Sequence, residues 1–263
     1  MNNLIKTDFY RILKAKITYV SFIIAAVVPL LLALLYLGIR TVLKNVGEPE
    51  DAMVIDLLLG GEVMLTSTFS FTNNIGLALP VFAVIIVMSD VNSGTIRNKL
   101  ILGYKRHQIF ASHFVTSFIY CLVLMGIYAA MTALFGGTIL GLSTFDYETG
   151  ISFTYFYILG LLGMAFVAAV SCSLSLSLLN MPGSIIIGIV ICLLFGGLAS
   201  ILSSFDYSSF EYFAYLLPAF VINAFPAHQI SIVMFLEGLA GIVIFGGIFY
   251  VVGSLIFGKR DLK

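Results

Sequence analysis

Charge is nearly absent from long stretches of this chain, and that absence restricts the folds open to it more than any motif does. Between Ile17 and Phe257 the sequence divides into six apolar segments, and its few charged residues gather in the connections between them. Hydrophobic residues make up 60% of the 263 and charged residues 10%, where a water-soluble domain carries about 25% charge. A bilayer core of about 30 Å takes about 20 apolar residues as a helix, and lipid offers no partners to the backbone of an open strand. The chain is therefore expected to be all-α and polytopic, a single membrane domain over residues 1–263.

The spans are placed at about residues 17–39, 73–91, 108–135, 154–179, 184–202 and 230–257, with Pro29 a kink in the first and Pro80 inside the second. The first stretch is too long for the apolar part of a signal peptide and no small-x-small site follows it, so it is expected to remain as an anchor. Ahead of it, residues 2–16 read as an amphipathic helix with Ile5, Phe9, Ile12 and Leu13 on one face. Lys6, Arg11 and Lys14 point away, so the segment is either an interfacial helix or an ordinary charged leader. In the connector 40–72, Met53 to Leu65 reads as a short helix broken at Gly60-Gly61. Asn180-Met-Pro-Gly183 is a bare turn that makes a tight hairpin of spans four and five. Residues 203–228, with Asp206, Glu211, Pro218 and Pro226 among aromatics, are expected to form a broken, partly re-entrant element before the last span. Glu237 falls near the outer interface. Trp is absent, so the interfacial belt falls to tyrosines such as Tyr19, Tyr104 and Tyr250.

Lysine and arginine orient the spans. With both termini inside, Lys6, Arg11, Lys14, Lys16, Arg97, Lys99, Lys105, Arg106, Lys259, Arg260 and Lys263 face the cytoplasm, leaving Arg40 and Lys44 of the 13 outside. Localisation in a bacterial cytoplasmic membrane, multi-pass with both termini cytoplasmic, follows from the class reached below.

Chemistry of its own is not expected of this chain. It has no phosphate-binding glycine loop, no H-E-x-x-H and no G-x-S-x-G, and His107, His113 and His228 are dispersed, so no catalytic, cofactor or metal residues are assigned. Cys121, Cys172 and Cys192 lie inside spans and read as small buried hydrophobes. No span carries a central ionisable residue, which weighs against a proton-coupled transporter.

Two polar features remain. On a helix, Ser171 with Ser175 and Ser173 with Ser177 form small-xxx-small pairs. They either admit a neighbouring helix closely or line a substrate path. The second feature is the basic connector, with Gly94, Thr95, Ile96, Arg97, Asn98, Lys99, Leu100, then Gly103, Tyr104 and Arg106. Ser93 or Asn92 is placed to cap a helix over 94–106 and Gly103 to end it in the left-handed conformation. Ile96 and Leu100 share a face with Arg97 and Lys99 at its edges. Such a helix either docks a soluble partner or is simply positive-inside charge.

This connector resembles the glycine-threonine-isoleucine signature, ending in glycine-tyrosine-x-arginine, of type-2 ABC exporter permeases, with Asp90 as the acid ahead of it. The ending Phe257-Gly-Lys259-Arg260-Asp261 also looks like that family's terminus. The resemblance implies a permease subunit of an ATP-driven exporter, with a second permease, identical or paralogous, and two copies of a separate ATPase that bind ATP and Mg. It implies that residues 94–106 are the coupling helix, Ile96 and Leu100 filling an apolar groove of the ATPase and Arg97 and Arg106 meeting acids at its rim. Membrane lipids are expected partners and nucleic acid is not. The small, nearly charge-free spans point to an amphipathic or hydrophobic substrate, a peptide or antibiotic first. The alternative reading is a non-transporting scaffold or sensor coupled to an ATPase.

Overall fold

The computed structural model describes residues 2–46, 58–72, 75–141, 147–203, 215–217, 219–220, 222 and 230–260. Among them no strand occurs, and six helices are long and apolar enough to cross a membrane. The reason is the one that excluded strands from the sequence: a helix pairs its backbone within one segment, so each span satisfies itself in lipid.

Helix α1 (Asn2–Lys14) lies against the bundle and is followed at once by α2 (Lys16–Val46), the first span. Thr18 clasps the joint, its hydroxyl donating to the carbonyl of Ile12 at 2.6 Å. The inward face of α1 differs from the apolar stripe expected of it. Leu4, Asp8 and Ile12, one turn apart, are buried, Ile5 and Phe9 are half-buried and Leu13 is exposed. Helix α2 does not stop at Ile39, because Arg40 and Lys44 continue its hydrogen-bonded turns while reaching past the apolar layer. At 31 residues it is roughly 46 Å long. The helix is continuous through Pro29, and Thr18, Ser21, Ala25, Pro29 and Ala33 form its buried stripe of small residues.

A short helix α3 (Gly61–Thr66) and a 3-10 turn (Ser67–Phe69) lead to α4 (Ile75–Asn92), the second span. The sequence-expected helix reaching back to Met53 lies partly outside the described residues. Helix α5 (Thr95–Ile101) is the short basic element, and α6 (Arg106–Phe135) the third span, closed by one π turn at Gly136–Leu140. Arg40 donates to the Leu140 carbonyl at 3.0 Å there, satisfying a backbone oxygen where the helix ends. The fourth, fifth and sixth spans are α7 (Tyr147–Leu178), α8 (Met181–Ser203) and α9 (Ile232–Lys259). The hairpin from α7 to α8 is as tight as expected, with Leu179 in the left-handed region at φ 53°. Pro182 falls in the first turn of α8, where its missing N–H costs nothing. Of the broken element expected over 203–228, most residues, Asp206, Glu211, Pro218 and Pro226 included, lie outside the described residues. So do Glu48, Glu50, Asp51, Asp56 and Asp146 of the connectors after the first and third spans.

Helix α7 is the centre of the bundle. It packs on α4, α6, α8 and most extensively on α9. Its Phe166 is wholly buried, with ring centroids of Phe195 on α8 and Phe249 on α9 at 4.8 and 5.7 Å. Spans in lipid gain little from hydrophobicity and must associate through close packing and interhelical hydrogen bonds. Ser173 supplies both, since its hydroxyl donates to the Phe249 carbonyl at 2.5 Å and its Cβ lies where Gly253 has no side chain. A Cβ at Gly253 would stand 2.6 Å from that of Ser173. Gly253→Leu is therefore expected to lower the thermal unfolding temperature of the detergent-solubilised protein, through overpacking worth about 1–3 kcal/mol. The same change at Gly258, where a Cβ meets nothing within 4 Å, should leave it unchanged.

Candidate functional site

The chain turns from α4 into α5 at Gly94, whose φ of 70° makes it the residue that stands ahead of the short helix. No side chain caps that helix, contrary to the role expected of Ser93 or Asn92; the Ser93 hydroxyl sits 2.7 Å from that of Thr95. At the other end Gly103, at φ 88°, gives its N–H to the Leu100 carbonyl and Tyr104 gives its own to Lys99. That pair of bonds is a Schellman ending, which stops α5 after two turns. The helix is thus shorter than the 94–106 read from sequence.

Burial within α5 also departs from expectation. Ile96 is 3% exposed and packs with Leu4, Val87, Ile109, Phe110 and Phe257, while Leu100 is half-buried against the same cluster. Ile96 is therefore turned into its own subunit and does not offer itself to a groove elsewhere. The outward surface consists of Arg97, Asn98, Ile101 and Leu102, the last two each 76% exposed.

Lys99, read from sequence as an edge cation, is 5% exposed. Its ammonium lies 2.6 Å from Oδ1 of Asp8, 3.7 Å from Oδ2 of Asp90 and 3.4 Å from Nε2 of His113. Ser112 donates to Asp8 Oδ2 at 2.6 Å. Arg11 pairs with Asp90, and Nδ1 of His113 faces the same carboxylate at 3.6 Å. Two carboxylates and two cations thus balance, drawn from α1, α4 and α5 and backed by two side chains of α6. Burial pushes the Lys99 ammonium below its ordinary pKa, and the hydrogen bond and charge of Asp8 pull it back. Burial likewise lowers Arg11, opposed by Asp8.

Sequence reading missed this cluster because Asp8 lies in a charged leader and Lys99 reads as a cation at the edge of the connector's apolar face. A signal was present. Asp8 is one turn after Leu4 and one before Ile12, and Ser112-His113 interrupts the apolar start of α6.

Arg106 is placed differently again. Its guanidinium Nη1 donates to the carbonyls of Phe257 and Gly258 at 3.3 Å each and to that of Arg260, so it closes the C-terminal end of α9. It does not stand at an outward rim. Of the four serines, Ser171, Ser173 and Ser175 are buried and Ser177 half-buried, all within the subunit. Ser175 bonds back to the Ser171 carbonyl at 2.7 Å, and no partner reaches the Ser171 and Ser177 hydroxyls among the described residues.

Six spans, with a short helix bolted to one end of the bundle through buried charge, define a multi-pass membrane protein of transporter type. The chain belongs to the ABC-2 family of transporter proteins, whose family model, described as "ABC-2 family transporter protein", matches residues 4–200. It is thus a membrane permease subunit of an ABC transporter, of a family that works with ABC ATPases. Comparison with curated proteins gives no match. The family match runs from α1 into α8 and includes every residue of the ion cluster.

A buried pair broken on one side commonly costs about 3–5 kcal/mol, while replacing both partners with neutral groups is often nearly neutral. Asp8→Ala, which leaves Lys99 and Arg11 to share the single carboxylate of Asp90, is expected to destabilise the solubilised protein by an amount in that range. Asp8→Asn combined with Lys99→Met should recover most of the loss in the same thermal scan. Additive losses in the double variant would show that the two residues do not act as a pair.

Proposed function

We propose that this permease is the membrane half of an exporter and that α5 receives the motion of its ATPase. The carrying observation is the outward pair Ile101 and Leu102 on a helix whose inner face is locked by Lys99 and Ile96. Large apolar side chains exposed together on the water-facing end of a membrane protein mark a docking point, and Arg97 beside them suits an acidic rim. The role that sequence placed on Ile96 and Leu100 falls instead to Ile101 and Leu102. Gly94 and Gly103 serve by setting the two turns, Thr95 by its bond to Ser93, and Arg106 by holding α9.

In this reading the face carrying Lys99, Arg106 and Lys259 lies on the cytoplasmic side of a bacterial cytoplasmic membrane, as its excess of lysine and arginine supports. Two ATPase copies bind there and hold ATP and Mg. A second permease, identical or paralogous, completes the pathway. Broad exposed apolar faces on α2 and α8 support such pairing, being the least buried spans together with α9. The substrate is amphipathic or hydrophobic, a peptide or antibiotic first, because the spans offer it almost no charge.

Removing one buried anchor from a protein interface commonly costs about 1–3 kcal/mol, roughly a 5- to 150-fold loss of affinity. The double variant Ile101→Asp with Leu102→Asp should insert and melt like the parent, yet fail to retain the ATPase through purification. Inside-out vesicles carrying it should lose ATP-dependent substrate uptake. Normal ATPase retention and uptake would overturn the coupling role; retention with no uptake in the parent would favour the scaffold.

A further inference from the structure

The last span lacks side chains where they would meet its neighbour, and the space left behind opens on lipid. Gly246 and Gly247 are consecutive in α9, and a Cβ on either would meet nothing within 4 Å. Facing them, α6 presents Ala111, Phe114 and Val115, and Ala165 of α7 forms the floor. The cleft between these helices has a volume of about 430 Å³, and the Tyr250 hydroxyl is the one polar side-chain group among its walls.

Aromatic rings border the basic end of the cleft. The Phe110 and Phe114 rings meet Tyr250 edge-on at 5.3 and 5.1 Å, and beyond them Arg106 ties the start of α6 to the last carbonyls of α9. Lys105, His107 and Lys259, all exposed, border that junction. His107 is one helical turn above Ala111 on the same face of α6. Asp8 and Asp90, the described acids at this end of the bundle, are taken up by Lys99, Arg11 and Ser112.

Depth identifies what reaches this space. Phe114 lies eight residues into α6 and Gly247 twelve residues before Lys259, about 12 and 18 Å from the basic end at 1.5 Å per residue. One leaflet of the hydrocarbon core is about 15 Å deep, so the cleft lies at acyl-chain depth and reaches the bilayer midplane. The Tyr250 hydroxyl alone would be left to pair the polar groups of an amphipathic cargo. Left empty, the walls would forgo dispersion contacts that a flexible alkyl chain restores. Since surrounding lipid is equally apolar, selection must come from the headgroup, and the exposed groups just beyond the basic end of the cleft are cationic.

We infer that the cleft between α6 and α9 holds one acyl chain of an anionic phospholipid, its phosphate resting among Lys105, His107 and Lys259. The chain contains no Trp, so Phe114→Trp places a single reporter in the cleft. The full-length permease carrying it is reconstituted in mixed phosphatidylglycerol and phosphatidylcholine vesicles, with bromine on the acyl chains of one lipid or the other. Brominated phosphatidylglycerol should quench at least twice as strongly as brominated phosphatidylcholine at equal fraction. Adding Gly247→Leu, which fills open space, should reduce the quenching to that of a reporter on the lipid-facing surface, Val252→Trp. Lys105→Gln with Lys259→Gln should abolish the headgroup preference. Should Phe114→Trp fail to insert, Tyr250→Trp carries the reporter on the opposite wall. Equal quenching by the two lipids, or insensitivity to Gly247→Leu, would overturn the inference. Protection from both lipids would do so too, by showing that protein or cargo covers the cleft.

Discussion

Asp8 and Lys99 are removed from water together, and each is the other's nearest opposite charge. An ion buried alone costs several kcal/mol, an expense that good geometry and added hydrogen bonds offset. Here the offset comes from four directions: Lys99 and Ser112 at Asp8, Arg11 and His113 at Asp90. The consequence is mechanical. A helix of seven residues is too short to be stable by itself, yet α5 is held as a rigid part because leaving would strand a charge. Any displacement of its exposed tip must carry α1 and the end of α4 along or break those pairs.

The rest of the bundle solves a different problem, association in a solvent as apolar as the helices themselves. Small residues do this work. Thr18, Ser21, Ala25 and Ala33 make the inward stripe of α2, and Ser173 fills the space vacated at Gly253. Phe166 then locks α7 against α8 and α9 with its ring edges. The large aliphatic residues of α2, α8 and α9 mostly face outward, the reverse of a soluble protein, because lipid does not penalise them.

Two surfaces of the subunit are left without a partner inside the chain, and their environments set what suits each. Ile101 and Leu102 are exposed beyond the end of the second span, and in the proposed orientation they meet water, where an apolar pair is driven to bind. The cleft beside Gly246 and Gly247 lies between two spans, and in the inferred lipid setting no such drive exists, so shape and headgroup charge must choose the occupant. Arg106 lies between the two and belongs to neither, since it spends its donors on the end of α9. It joins the start of α6, just past the Schellman turn of α5, to the last span.

Much of this protein was legible one residue at a time. Spans of about 20 apolar residues, the bare turn at Asn180 and the left-handed stop at Gly103 follow from local rules that lipid and backbone sterics enforce on any sequence. So does the exclusion of strands, even where Ser171 to Ser177 alternates with a period of two. What local rules do not reveal is which side of a short helix faces home. Ile96 with Leu100 reads as an outward apolar face, and Lys99 as a cation at its edge, until Asp8 arrives from 91 residues away. Arg106 likewise meets its carbonyl partners more than 150 residues along the chain. The sequence by itself determined a six-span helical permease and the position of its short basic helix. The tertiary structure decided which residues of that helix are buried, because the partners that make burial of a charge tolerable are brought together only by the packing of α1, α4 and α6.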